Sequence, residues 1–206
     1  MGLRGTLYII SAPSGGGKTS LVNALVNQIP QMKISISHTT RPARPHEEEG
    51  VHYFFVDEPS FNTLQEKGQF LESAKVFNYF YGTSKETIER QLEAGFDILL
   101  DIDWQGARQI KAQMECVQIF IVPPSREALL ERLRNRKQDS ETIISERMRQ
   151  ANREIAHFEE YDFLIINDTF ELALADLVAI VKSQRLRVSY QKDRFKQMLS
   201  TLIQEA

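Results

Sequence analysis

The chain holds one cysteine, Cys116, among 206 residues. A single thiol closes no internal disulfide, and no further cysteine or histidine stands near it at metal-ligand spacing. A disulfide-stapled scaffold is therefore excluded, and there is no sign of a zinc site. Cys116 reads as a packing residue, and a reducing, cytoplasmic compartment is expected. Positive charge is not in excess: 25 Lys and Arg face 28 Asp and Glu, for a net charge of −3. The whole-protein basic footprint of a nucleic-acid binder is missing, so no nucleic-acid partner is expected. Apolar runs are short, so no membrane-spanning segment and no membrane partner are expected. The first residues lack a signal-peptide core and lead straight into strand-like sequence. Gly2 to Thr6 meets the loose myristoylation pattern, but that pattern is short and easily met by chance. There is no internal repeat and no low-complexity tract. A chain of this length is expected to form one domain, 1–206, carrying insertions.

Strand-like and helix-like segments alternate, which argues an α/β fold with a mostly parallel sheet. Thr6–Ile10, Phe96–Asp101, Val117–Val122 and Phe163–Asn167 read as buried strands. A long last helix is expected from about Leu172 to near the C-terminus. The stretch from about Ser35 to Gly95 breaks the alternation. It carries strand-like pieces at Lys33–Ser37, His52–Val56 and Phe70–Val76, a helix opening near Pro59, and a second helix with a capping box Thr83-x-x-Glu86 that stops at Gly95. So much β-rich material between parallel strands reads as an inserted subdomain.

The densest chemistry lies in Ser11-Ala12-Pro13-Ser14-Gly15-Gly16-Gly17-Lys18-Thr19-Ser20. A strand precedes it, and helical spacing follows from Leu21. That is the context of a phosphate-binding P-loop. Glycines let successive backbone N–H groups turn inward, and the helix N-terminus adds partial positive charge. Lys18 can reach β- and γ-phosphates, and the Thr19 hydroxyl can bind Mg²⁺, partly through water. The strict pattern wants glycine at Ala12, which is tolerable where φ stays negative. The bland alternative is a glycine-rich turn that binds nothing.

Arg41 and Arg44, stiffened by Pro42 and Pro45, form a plausible clamp for a dianionic phosphate. Glu72 lies among apolar residues and either points into a cleft or faces water. From Ser125 to Arg153 the chain is rich in arginine, with Asp139-Ser140 interrupting as a helix cap. That segment is either a solvated helical hairpin laced with ion pairs or a mobile arginine-bearing lid over phosphates.

In order and at matching spacing, Ala-Pro-Ser-Gly-Gly-Gly-Lys-Thr, Ser-His-Thr-Thr-Arg, Gly-Val-His-Tyr-Phe-Phe, Phe-Leu-Glu, Tyr-Gly-Thr and Leu-Asp-Ile-Asp-Trp-Gln-Gly resemble the guanylate kinases, most closely the bacterial cytosolic enzymes. The resemblance covers essentially the whole chain. It implies a P-loop NTPase-type parallel sheet core with helices on both faces, a GMP-binding insertion at about 35–95 and a helical lid at about 126–157. It implies the reaction of ATP with GMP to give ADP and GDP, with Mg²⁺. ATP phosphates would sit on Ala12 to Ser20, with Arg132, Asn167 and Asp168 also on the ATP side. GMP would be held by Ser37, Arg41, Arg44, Tyr53, Glu72, Tyr81, Gly82, Thr83, Asp101 and Asp103. Lys18, Arg136 and Arg147 would serve the transfer itself. His46, Lys137 and Ala12 depart from the family's usual residues.

Residue chemistry points the same way. Guanine presents two adjacent N–H donors, which one carboxylate accepts together, whereas adenine meets it with an acceptor. Asp101 and Asp103 lie at the C-terminal end of a core strand, where open α/β sheets bind ligands. The bland alternative for Asp103 is the N-cap of a helix starting at Trp104. The rival readings are a P-loop kinase for another nucleoside monophosphate, a non-catalytic guanylate-kinase-like interaction module, and a nucleic-acid-binding ATPase. Homo-oligomerisation is left open.

Overall fold

A computed structural model describes residues 4–76, 78–135 and 140–204. In chain order the elements are β1 (Leu7–Ser11), α1 (Lys18–Gln28), β2 (Met32–Ile34), β3 (His38–Thr39), β4 (Phe54–Phe55), α2 (Glu58–Glu66), β5 (Phe70–Val76), β6 (Tyr79–Ser84), α3 (Lys85–Glu93), β7 (Asp97–Asp101), α4 (Trp104–Lys111), β8 (Val117–Val122), α5 (Arg126–Asn135), α6 (Glu141–Ile155), a short 3₁₀ turn, β9 (Phe163–Ile166), α7 (Phe170–Arg185), α8 (Val188–Arg194) and α9 (Lys196–Gln204).

Five strands form a parallel sheet in the order β2-β7-β1-β8-β9. Every residue of β1 and β8 is buried. Strands covered on both faces read as continuous apolar runs, which is why these two were legible from sequence. Tyr8 and Ile10 pack on one face with Leu21, Leu25, Leu177 and Val181 of α1 and α7. Leu7 and Ile9 pack on the other with Ile88, Leu92 and Ile110 of α3 and α4. The two-residue alternation of β1 thus feeds two cores, one under each helical layer.

The inserted segment forms its own mixed sheet, ordered β4-β3-β6-β5. The chain differs from the sequence reading here in two places. Met32–Ile34 is not part of the insertion but pairs in parallel with β7 as the edge of the core sheet. The cap of α3 is Ser84, whose side chain accepts from Thr87 N, and not Thr83. Thr83 is one residue too early, and its hydroxyl is committed elsewhere.

The α5–α6 hairpin has a small core of its own, made by Leu129, Leu133, Ile144, Met148 and Ala151. Its outer face carries the ion pairs Arg134–Glu141 and Arg149–Glu146. Ser140 caps α6 by accepting from Ile143 N, while Asp139 lies outside the described residues. The long last helix is instead three. The chain leaves helical geometry at Arg187, and the Gln191 side chain donates to the carbonyl of Arg185 released by the break. The buried stripe of α7 ends at Val181, so no buried apolar side chain beyond it holds the helix against the sheet.

The end of α7 is pinned by charge. Asp97, buried at the start of β7, accepts from Arg185 Nε at 2.9 Å and from Thr6 N at 2.7 Å. Removing one member of such a pair leaves the other uncompensated. Asp97→Ala is expected to destabilise the chain by about 3 kcal/mol, since Arg185 stays partly open to water. Urea titration should show a lower midpoint with an unchanged slope.

Candidate active site

The loop between β1 and α1 turns at the C-terminal end of the sheet. Gly15 and Gly17 both take φ of +91°. Among the described residues only Gln31 is a non-glycine with positive φ, so Ala12 keeps the negative φ it needs. Gly17 meets a second constraint. A Cβ there would lie 2.2 Å from Asn167 Nδ2. That amide, at the end of β9, donates to the Gly16 carbonyl at 2.8 Å. Asn167 is therefore buried beneath the loop and shapes its backbone, while Asp168 beside it is exposed. Thr19 and Ser20 lie exposed in the first turn of α1. Lys18 pairs with Asp101 at the end of β7.

The helical hairpin sits directly on this loop. A Cβ on Gly15 would be 2.8 Å from Leu129 Cδ1, so the glycine lets α5 approach. Arg132 Nη2 donates to the Asn167 carbonyl at 2.8 Å, and its Nη1 is buried with no hydrogen-bond partner among the described residues. From the last turn of α6, Glu154 accepts a hydrogen bond from Ser14 N at 3.3 Å. Arg147 lies half-buried two turns earlier on the same helical stripe. Arg136 falls outside the described residues.

The insertion faces the same end of the sheet. Thr39 is buried, donates to the Phe80 carbonyl and accepts from Arg41 N. This sets where the Arg41 side chain emerges. Arg41 pairs with Glu47 at 2.7 Å and lies over the Tyr53 ring at 5.4 Å. Glu47 also accepts from Arg44 N. The Arg41 guanidinium and the Arg44 amide hold the Glu47 carboxyl at about 2, and Arg41 is raised in turn. Tyr53 and Tyr81 meet edge to face, 5.9 Å between ring centres. The Ser37 carbonyl accepts from Phe54 N. Gly82 lies where any Cβ would press on Phe70 and Phe61 at 3.0 and 3.1 Å.

Glu72 is 4% exposed. A register shift between Phe70 and Glu72 places it directly opposite Thr83. The extra residue lets neighbouring side chains both turn inward: Leu71 joins the core and Glu72 enters the cleft. Thr83 Oγ1 donates to Glu72 Oε1 at 2.6 Å. Its other oxygen packs at α4, where a Cβ on Gly106 would approach Oε2 to 3.1 Å. Burial pushes the Glu72 carboxyl up to about 7, the Thr83 hydroxyl opposes this, and the charge of Asp103 adds to it. Asp103 is the N-cap of α4, accepting from Gly106 N at 2.9 Å. The cap reading of Asp103 is thus realised, and its charge is felt by both Glu72 and Glu154.

The P-loop, Asp101, Asp103, Glu154 and Glu72 therefore form one connected group. Glu47 and Glu154 escaped the sequence reading. Glu154 had one signal, its seven-residue spacing from Arg147. Glu47 had only its place three residues after Arg44. A cleft of about 870 Å³ opens elsewhere, at the N-terminal ends of β1, β8 and β9. Cys116 lines it, with its thiol pushed by burial up to about 11.

A parallel sheet with a glycine loop, lysine and helix N-terminus at its switch point defines a P-loop phosphotransferase fold, here with an insertion that presents arginines and a buried carboxylate. The guanylate kinase family model matches residues 4–184. The chain is 52% identical over 200 residues to the guanylate kinase of Legionella pneumophila (strain Lens), covering 97% of this chain and 96% of that protein. It is 54% identical over 205 residues to that of Vibrio cholerae, covering 98% and 99%. The crystal structure of guanylate kinase from Anaplasma phagocytophilum superposes with a TM-score of 0.73 at 34% identity, covering 90% of this chain and 89% of that one. The chain belongs to the guanylate kinase family.

The raised carboxyl of Glu72 makes stability depend on pH. An unfolded glutamate ionises near 4.5 and the folded one near 7. The protonated form therefore supports the fold fully below about pH 4.5, and that support is lost as pH rises through about 7. Glu72→Gln keeps an acceptor for Thr83 but cannot ionise. It should be the more stable protein at pH 8, by up to about 3 kcal/mol, and equal to wild type at pH 4.5. Thermal melts of the nucleotide-free chain across this range measure the difference.

Proposed function

We propose that this chain transfers the γ-phosphoryl group of ATP to GMP, giving ADP and GDP. The observation that carries the reading is the buried Glu72 carboxylate, held by Thr83 in the same cleft as the P-loop lysine. Such a carboxylate accepts both the N1–H and N2–H₂ donors of guanine. Adenine would leave it buried and unpaired, and sites built on a buried polar pair reject mismatched analogues strongly.

Transfer between phosphates needs little covalent help from the protein. It needs the donor and acceptor in line and charge stabilised on the moving group. The backbone amides of Ser14 to Thr19 would cradle the ATP phosphates, with Lys18 reaching the β- and γ-oxygens. Arg41 and Arg44, with Tyr53 and Tyr81, would hold the GMP phosphate, and Ser37 and Gly82 would line its pocket. Arg132 and Arg147, with Arg136, would bring positive charge from the hairpin once it closes over both nucleotides and keeps water from the γ-phosphate.

The metal implied by this chemistry fits the donors present. Among the described residues no cluster of three or more His, Cys, Asp or Glu could cage an ion. The exposed hydroxyl of Thr19 lies at the helix start, and Mg²⁺ is commonly held by few protein oxygens plus substrate phosphates. When bound it would supply charge neutralisation on the β- and γ-oxygens. No helix among the described residues is long and apolar enough to cross a membrane. A cytoplasmic setting is proposed on the single unpaired cysteine.

A coupled assay of ADP formation with GMP, AMP, CMP, UMP and dTMP in turn tests the reading. GMP should be phosphorylated far faster than the others, and comparable rates with AMP would overturn it. Lys18→Met should keep the fold and lose about 10²- to 10³-fold in kcat, as expected for removal of one transition-state charge contact. Glu72→Gln should raise KM for GMP and narrow the preference over AMP, because an amide turns a donor towards one guanine donor. Arg41→Ala should weaken GMP and AMP alike, since it would hold phosphate and not base.

A further inference from the structure

The amide of Ser14 belongs to the loop that would receive ATP phosphates, yet it donates to a carboxylate from another element. Glu154 Oε2 accepts from Ser14 N at 3.3 Å across 140 residues of sequence. The carboxylate is half-buried and lies within the fields of Lys18 and Asp103. Lys18 itself is paired with Asp101. The loop's lysine and one of its amides thus each face an anion supplied by the protein.

We infer that Glu154 is a positioning residue, an internal stand-in for a phosphate oxygen that latches the α5–α6 hairpin to the P-loop until a polyphosphate displaces it. The inference rests on the ATP-binding reading given above. Ser14 N has one hydrogen to give. A phosphate oxygen and the Glu154 oxygen cannot both take it at hydrogen-bond distance, and two anions so close repel each other. Glu154 lies in the last turn of α6, and Arg147 lies on the same stripe two turns earlier. Displacing the carboxylate therefore moves the end of the helix that also presents Arg147. Filling of the donor site is coupled to the hairpin through a single exchanged hydrogen bond. The hairpin's own apolar core lets it move as a unit.

The coupling has a signature that a packing role lacks: it acts on phosphates and not on the base. Binding of tripolyphosphate, ATP and adenosine to the full chain, measured by titration calorimetry, separates the two. Glu154→Gln keeps the shape and an acceptor but loses the charge, and should tighten tripolyphosphate and ATP about threefold. Glu154→Ala removes both and should tighten them about tenfold, the change that ~1.4 kcal/mol of competing interaction represents. Adenosine affinity should be unchanged in both. Unchanged tripolyphosphate and ATP affinity in both variants, or an equal change for adenosine, would overturn the latch and leave the kinase reading intact. A wild-type chain that bound neither tripolyphosphate nor ATP would overturn the kinase reading and the latch together.

Discussion

The hydrogen bond from the Asn167 amide to the Gly16 carbonyl is the contact on which the rest of the site is arranged. It ties the end of β9 to the loop after β1, across the intervening β8. It requires glycine at position 17, because a Cβ would occupy the space of the amide nitrogen. It also presents the Asn167 carbonyl to Arg132, and so seats α5. The loop's shape is therefore set from below by the sheet and from above by the hairpin. A backbone cradle for phosphate has to be held in this way, because its own glycines give it little stiffness.

A second constraint is electrostatic. Lys18 and Arg41 are both partly buried, and a cation withdrawn from water loses hydration unless an anion lies beside it. The chain supplies those anions itself. Asp101 meets Lys18, Glu47 meets Arg41 and the Arg44 amide, and Glu154 meets Ser14. Nucleotide phosphates would replace protein carboxylates, so binding would exchange one set of ion pairs for another. This links affinity to the movement of the elements that carry those acids.

The buried carboxylate of Glu72 depends on a local irregularity in the inserted sheet. Without the shift between Phe70 and Glu72, strict alternation would send Leu71 and Glu72 to opposite faces and misalign Glu72 with Thr83. The irregularity allows a core residue and a polar residue to be neighbours, both buried. Burial then holds the carboxyl near neutrality, where a ligand with two donors can draw it into its ionised form.

Much of this was legible along the chain. Runs such as Val117–Val122 announce themselves because a strand covered on both faces must be apolar throughout. The P-loop is legible because its chemistry is local: consecutive amides, a lysine and a helix start. Arg41 was legible as part of a proline-stiffened arginine clamp and Glu72 as a carboxylate among apolar residues, while the part each would play toward GMP, and that of Tyr53, came from the family resemblance. Other features could not be read. The edge position of β2 is decided by pairing with β7, far along the chain. The loss of Thr83 as a helix cap is decided by Glu72 on the neighbouring strand. The break after Arg185 is decided by where the sheet stops offering a surface and where Asp97 holds the guanidinium. The roles of Asn167 beneath the loop and of Glu154 above it rest on contacts between residues 140 or more positions apart. The sequence alone determined the elements and groups whose physics is local, through backbone conformation, helix capping and the period of apolar residues. The tertiary structure alone decided which anion faces which cation, because that depends on distances that only the packed sheet and helices set.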